Sequence, residues 1–189
     1  GGANCPSKPY HDVDTGRWYH EGIDYAIAHG LMNGVGNGMF EPESSMTRAM
    51  LVTVLWRYAG SPAGWENPFT DVPNGSWFTQ AVAWAAENGI VNGVGNHKFE
   101  PDSNITREQM AAILYRYAVY GGMTAVTLEE NLGSFADTAQ LSAYAIQAMN
   151  WAVGQGLING SGSNLVPKAQ ATRAQVAAIL MRYIENVTK

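Results

Sequence analysis

One stretch of this chain is written three times, and that limits what it can fold into more than any other feature. "NGVGNGMFEPESSMTR" (33–48) returns as "NGVGNHKFEPDSNITR" (92–107) and, shortened, as "NGSGSNLVPKAQATR" (159–173). Tyr10–Tyr58 aligns with Phe69–Tyr117 at a constant offset of 59 residues, and 20 of the 49 pairs are identical, which marks a duplication. The third copy starts at Phe135; its offset is 67 at Trp84/Trp151 and 66 at Arg107/Arg173, so it gains one residue early and loses one in the glycine loop. This divides the chain into repeat 1 (1–60), repeat 2 (61–120), a linker (121–134) and a degenerate repeat 3 (135–189). A unit of this size buries too little surface to stand alone, so the three are expected to form one module.

Each copy reads as two helices around a loop. In copy two the first helix is expected from about Thr79 to Asn88, with Val82, Ala85 and Ala86 on one face and Gly89 as the residue that ends it. Gly30 and Gly156 hold the same place. The second helix starts at Thr106, whose hydroxyl and Gln109 form a capping box that Thr172 and Gln175 repeat, while Met50 leaves copy one with half of it. Met110, Ile113, Leu114 and Tyr117 then make an apolar stripe, matched by Val54, Leu55 and Tyr58 and by Ile179, Leu180 and Tyr183. The expected fold is all-α with long loops. Three helix-loop-helix repeats pool their stripes by packing the second helices as a central three-helix bundle, with the loops projecting as prongs.

Composition closes off several functions. With 46% hydrophobic and 14% charged residues the chain should fold, and a net charge of −5 argues against nucleic acid or an anionic membrane surface as partner. No apolar run is long enough to span a bilayer, and no signal peptide is visible; the abrupt "GGANC" start reads as a mature or excised piece of something longer. The single cysteine, Cys5, excludes an internal disulfide and a CxxC zinc site and is expected to be incidental. "DVDTG" (12–16) starts like a calcium loop, but Gly16, Arg17 and Ile23 stand where ligand, glycine and glutamate are needed. "GVGNG" lacks the Gly-Lys-Ser/Thr of a phosphate loop. His11, His20, His29 and His97 occupy non-equivalent places, and no nucleophile–base order recurs. No enzymatic activity, cofactor or metal is expected.

The repeated residues resemble the S-layer homology domain family. The resemblance is carried by "YHDV", Trp18, "FEPESSMTRAM" and "LWRY" in copy one, and by "FTDV", Trp77, "FEPDSNITREQ" and "LYRY" in copy two. It covers nearly the whole chain. It departs from the family's "TRAE" in every copy, and copy three also has Tyr144 for Trp77, Val166 for Glu100 and Lys168 for Asp102. The resemblance implies a pseudo-threefold, three-pronged module, without enzymatic activity, that anchors a larger surface protein non-covalently to a secondary cell-wall polysaccharide through pyruvylated amino-sugars. Some relatives bind peptidoglycan instead. The implied location is extracellular, at the bacterial cell wall or S-layer, and the implied state a monomeric module of a larger surface protein.

A pyruvylated sugar offers a fixed carboxylate, which asks for a cation of fixed geometry. Arg48, Arg107 and Arg173 follow each cap, where unpaired N–H groups and the positive helix end would reinforce a guanidinium; structural ion pairs with the repeat's own acids are the alternative. Gly34, Gly36, Gly93 and Gly95 present amides to the ligand or make a tight turn leaving the first helix, and both can hold. Trp18 and Trp77 either pack against a neighbouring prong, the preferred assignment, or stack on a sugar. Trp84 and Trp151 are assigned to the core. Asp12, Asp71 and Asp137 accept sugar hydroxyls or cap local backbone. Each groove is expected between two neighbouring copies, with the one between copies one and two most effective and Arg173 least important. A protein–protein module in a surface assembly is the rival reading, because Arg and Trp also dominate protein hot spots.

Overall fold

The computed structural model describes residues 5–123 and 131–188, so residues 124–130 of the expected linker lie outside the described part. The described residues contain six α-helices and no β-strand: α1 (His20–Ala28), α2 (Arg48–Tyr58), α3 (Thr79–Glu87), α4 (Arg107–Tyr120), α5 (Ile146–Gly154) and α6 (Arg173–Val187). Two short 3₁₀ turns, Thr138–Gln140 and Ala143–Ala145, precede α5. The odd helices are the first helices of the copies and the even ones the second.

The second helices start as their sequence asks. The Thr47, Thr106 and Thr172 hydroxyls accept the N–H groups of Met50, Gln109 and Gln175 at 3.2, 3.3 and 3.2 Å. Gln109 and Gln175 complete their capping boxes by accepting the threonine N–H. The next two donors go to another copy. Arg48 and Ala49 donate to the Ser103 and Pro101 carbonyls, Arg107 and Glu108 to Ala169 and Pro167, and Arg173 and Ala174 to Ser44 and Pro42, all at 2.8–3.0 Å. Just before each cap the copies are tied in a closed circuit. Met46 donates to the Ala171 carbonyl, Ala171 to Ile105, and Ile105 to Met46, at 2.9, 2.9 and 2.8 Å.

Helix pairing also runs between copies. α3 packs on α2, α5 on α4, and α1 on α6, so each first helix lies against the second helix of the preceding copy, and the first copy against the last. The second helices approach one another at Tyr58, Tyr117 and Tyr183, where the Tyr117 ring lies 6.3 Å from Tyr58 and 5.9 Å from Tyr183. The first helices have no side-chain cap and close on Gly30, Gly89 and Gly156 at φ of 65°, 67° and 68°. Trp84 and Trp151 are buried as expected, and Phe40 and Phe99 of the Phe-x-Pro turns and Leu165 of the corresponding Leu-x-Pro turn are fully enclosed.

α1 meets α6 at Gly22, where an added Cβ would stand 2.6 Å from Ala178 Cα and 2.8 Å from its nitrogen. On helix propensity alone Gly22→Ala gains about 1 kcal/mol. Because the obstruction is backbone, the helices must separate, and overpacking of this kind costs about 1–3 kcal/mol. Gly22→Ala is therefore expected to lower the urea midpoint, and a rise would show that α1 is free to shift.

Candidate functional site

The Phe-x-Pro turn is where the copies are joined. Asp71 stands at the start of copy two and accepts the Phe99 and Glu100 amides on its two carboxylate oxygens, both at 2.8 Å. Asp12 does the same for Phe40 and Glu41, and Asp137 for Leu165 and Val166. The second amide of each pair belongs to a residue at positive φ (Glu41 57°, Glu100 57°, Val166 52°), so each carboxylate holds a turn that its own side chains disfavour. Burial works to raise the Asp71 and Asp137 carboxyls, but the amide bonds outweigh it and hold both below the ordinary range. Of the two roles open to these aspartates, backbone capping occupies both oxygens.

The carbonyl of the same residue faces the preceding copy. Arg48 Nε donates to the Phe99 carbonyl at 2.9 Å and Nη2 to Asn92 at 3.3 Å, with its guanidinium 4.6 Å from the Phe99 ring centre. Arg173 treats copy one identically, bonding Phe40 and Asn33 at 2.8 and 2.7 Å over the Phe40 ring. Arg107 bonds the Leu165 carbonyl at 2.9 Å, where copy three offers no ring. All three are buried, and burial lowers each guanidinium pKa against the opposing pull of nearby carboxylates. None has a carboxylate within ion-pair distance among the described residues, so the expected alternative of structural ion pairs is replaced by bonds to neutral carbonyls. The expectation of unpaired N–H groups beside the arginines is corrected too: the first amides of these helices are taken by the next copy's loop.

Each arginine forms one end of an open groove. The groove floored by α4 holds about 330 Å³ and is lined by Asn92–Val94, Ile113 and Arg116 of copy two, Arg48 of copy one and Tyr144 of copy three. That floored by α6 holds about 380 Å³ between Asn159–Ser161, Arg182, Arg107 and Trp18. That floored by α2 holds about 190 Å³ between Asn33–Val35, Arg57, Arg173 and Trp77. Every groove therefore draws on all three copies, not two. Trp18 and Trp77 are 60% and 58% exposed and serve as groove walls, against the preferred assignment to packing. Arg57, Arg116 and Arg182, absent from the residues expected at the site, also line the grooves, and the offsets of 59 and 66 residues align them.

Gly34 and Gly93 leave room for the copy's leading aromatic. An added Cβ would stand 2.2 Å from the Tyr10 ring and 2.8 Å from that of Phe69. Gly36 and Gly95 supply φ of 107° and 106° to the turn that follows, in which Val35 and Val94 donate to Met39 and Lys98. The Gly34 amide bonds the Tyr10 hydroxyl. The turn requires Gly36 and Gly95, whereas Gly34 and Gly93 are required by the ring packed on them and also line the α2 and α4 grooves.

The departures of copy three are partly mutual. Glu108, where copies one and three carry alanine, is buried and accepts from Lys168 at 2.6 Å, from the Ser142 amide and hydroxyl, and from the Tyr144 hydroxyl at 3.2 Å. These bonds outweigh burial and lower the Glu108 pKa, while burial and then Glu108 push Tyr144 up to about 12. Tyr144 is thereby tethered in the α4 groove. The loop that lost a residue lies in the α6 groove. Arg173, expected to be the most compromised arginine, sits with Trp77 and the intact loop of copy one.

The family model of the S-layer homology domain matches residues 9–49, 68–111 and 134–177. Among curated proteins, the chain is 33% identical over 184 residues to an exoglucanase, XynX, of Acetivibrio thermocellus, covering 95% of the chain and 16% of that protein. It is 31% identical over 183 residues to an amylopullulanase of Thermoanaerobacterium thermosulfurigenes (95% and 10%). It is 32% identical over 171 residues to the surface-layer 125 kDa protein of Lysinibacillus sphaericus (88% and 14%). The chain thus spans 10–16% of the length of these relatives.

Two predictions follow from the bonding. Hydrogen bonds to a charged group are worth about 1.5–3 kcal/mol, so Arg48→Ala and Arg173→Ala, which lose two each, should destabilise more than Arg107→Ala. Urea unfolding at constant m-value measures this, and an unchanged midpoint would remove the arginines from the joints between copies. Asp71, Asp137 and Glu108 have folded pKa values below their unfolded values of about 3.9–4.3. Their contribution is complete above about pH 4.3 and falls away as pH drops through the lower folded values. Asp71→Asn should flatten that acid limb of the stability profile, and an unaltered limb would assign the acid dependence elsewhere.

Proposed function

The chain belongs to the S-layer homology domain family, and we propose that it is a non-covalent anchor that binds the secondary cell-wall polysaccharide through pyruvylated amino-sugars and tethers a larger surface protein. As a member of this family it is located at the cell surface, in association with the S-layer. Two relatives carry enzyme names, but the chain corresponds to only 16% and 10% of them, and we assign it the anchoring part and not the catalysis. The repeated circuit and cyclic helix pairing support a pseudo-threefold, three-pronged arrangement of the copies.

The observation that carries the reading is a buried guanidinium without an acidic partner among the described residues, at the base of each of three grooves. A buried cation bonded to neutral carbonyls, with carboxylates nearby but outside ion-pair distance, retains a field for an anion, and it is charged at every physiological pH. Beside it stand a second arginine and an exposed aromatic face, which suit a sugar carrying a carboxylate. The α2 groove keeps the unshortened loop, Arg57, Trp77 and Arg173 together, and we assign it the strongest binding.

The module should sediment with purified cell wall and lose that binding when the pyruvyl groups are stripped; equal binding to stripped wall would turn the reading to peptidoglycan. Calorimetry with a pyruvylated amino-sugar should show that Arg57→Ala and Trp77→Ala each weaken affinity by about tenfold, ~1.4 kcal/mol. Trp18→Ala should weaken it less. The reverse order would move the principal site to the α6 groove.

A further inference from the structure

Near the start of the described chain, Cys5, His20 and Asp24 converge on one point, and we propose that they form a binding site for a zinc-type divalent cation. Cys5 Sγ lies 3.1 Å from His20 Nε2 and 3.2 Å from Asp24 Oδ2, and Nε2 lies 3.3 Å from Oδ2. These three donors make a nearly equilateral triangle. Tetrahedral zinc with bonds of about 2.0–2.3 Å places its ligands roughly 3.3–3.6 Å apart, so a cation just above the triangle requires only a small expansion. The set mixes thiolate, imidazole and carboxylate, which suits zinc and not calcium or magnesium.

Three further observations favour a cation over a relay of protons. His20 turns the same nitrogen, Nε2, toward both the thiol and the carboxylate. A nucleophile–base–acid relay needs the two ring nitrogens to face different partners, whereas ligands of one ion share a focus. The Ser7 amide holds Asp24 Oδ1 at 2.9 Å, leaving Oδ2 aimed at the other two donors, as an outer hydrogen bond orients a metal-binding carboxylate. The charge at Asp24 also exceeds what that backbone tie demands. In copy three the aligned residue is Asn150, whose neutral side-chain oxygen accepts the Asn131 amide at 2.9 Å.

The cluster breaks the repeat. His20 aligns with Thr79 and Ile146, and Asp24 with Ala83 and Asn150, so the donors belong to copy one alone. All three residues are partly shielded yet reachable from solvent. A bound cation would fasten the segment around Cys5 to α1, the helix that packs on α6. It would also cover a thiol in an extracellular setting, where a free one is open to oxidation.

The test titrates the reduced, chelator-treated full chain with cobalt(II) and then with zinc(II). One cobalt per chain is expected, with a thiolate-to-cobalt charge-transfer band that zinc removes. Cys5→Ser should abolish the band. Asp24→Asn keeps an acceptor for the Ser7 amide, so it should retain the circular dichroism of the parent while binding cobalt at least about tenfold more weakly. Zinc should raise the Tm of the parent in a concentration-dependent way and leave that of Cys5→Ser unmoved. Absence of the band, or parent-like cobalt affinity in both Asp24→Asn and His20→Gln, would overturn the site.

Discussion

Everything in this structure depends on where the first amide donors of α2, α4 and α6 find their acceptors. A helix start leaves several N–H groups without partners inside the helix. Here a threonine hydroxyl satisfies one, and loop carbonyls of the following copy satisfy the two before it. That choice fixes the register of each loop against the neighbouring helix. The register then places each arginine against the Phe-x-Pro turn and brings three copies to the edge of every groove. Capping, assembly and site construction share a single set of backbone bonds.

The individual elements were legible in the sequence. Threonine caps, the glutamines of the capping boxes, the glycines that end the first helices and the apolar stripes are local signals, and local physics decides them. Partnership was not legible. Nothing in a repeat's own sequence says whether its two helices pack on each other or on those of neighbours, because identical copies offer identical faces. From sequence alone, therefore, each groove divides between two copies, and Trp18 and Trp77 fall to packing. The residue after the cap likewise looks available to a ligand, yet Arg48 and Arg173 each bond two carbonyls of another copy. The second-helix arginines were hidden differently: they recur as faithfully as any residue, but on a helix face that reads as ordinary solvated surface.

The third copy changes character once its neighbours are known. Tyr144, Lys168 and Ser142 each look like wear when copy three is set against copy two. In space they surround Glu108, itself peculiar to copy two, and satisfy its carboxylate completely enough to keep it ionised while buried. A carboxylate in that position without these donors would be costly, and the lysine without the carboxylate would gain nothing. The four residues make sense only as a set, which a comparison of copies in pairs cannot display.

The pairing of α1 with α6 has a consequence for how the chain acquires its structure. In an open array of repeats each unit rests on the one before it, and order can spread from any point along the chain. Here the first helix has its partner at the far end, so its apolar face stays uncovered during synthesis until the last helix has emerged. Such a contact closes the longest loop among the described helix pairs, and contacts of that kind slow folding and form late. The same pairing covers, within the described residues, the two helices that an open array would leave bare at its ends.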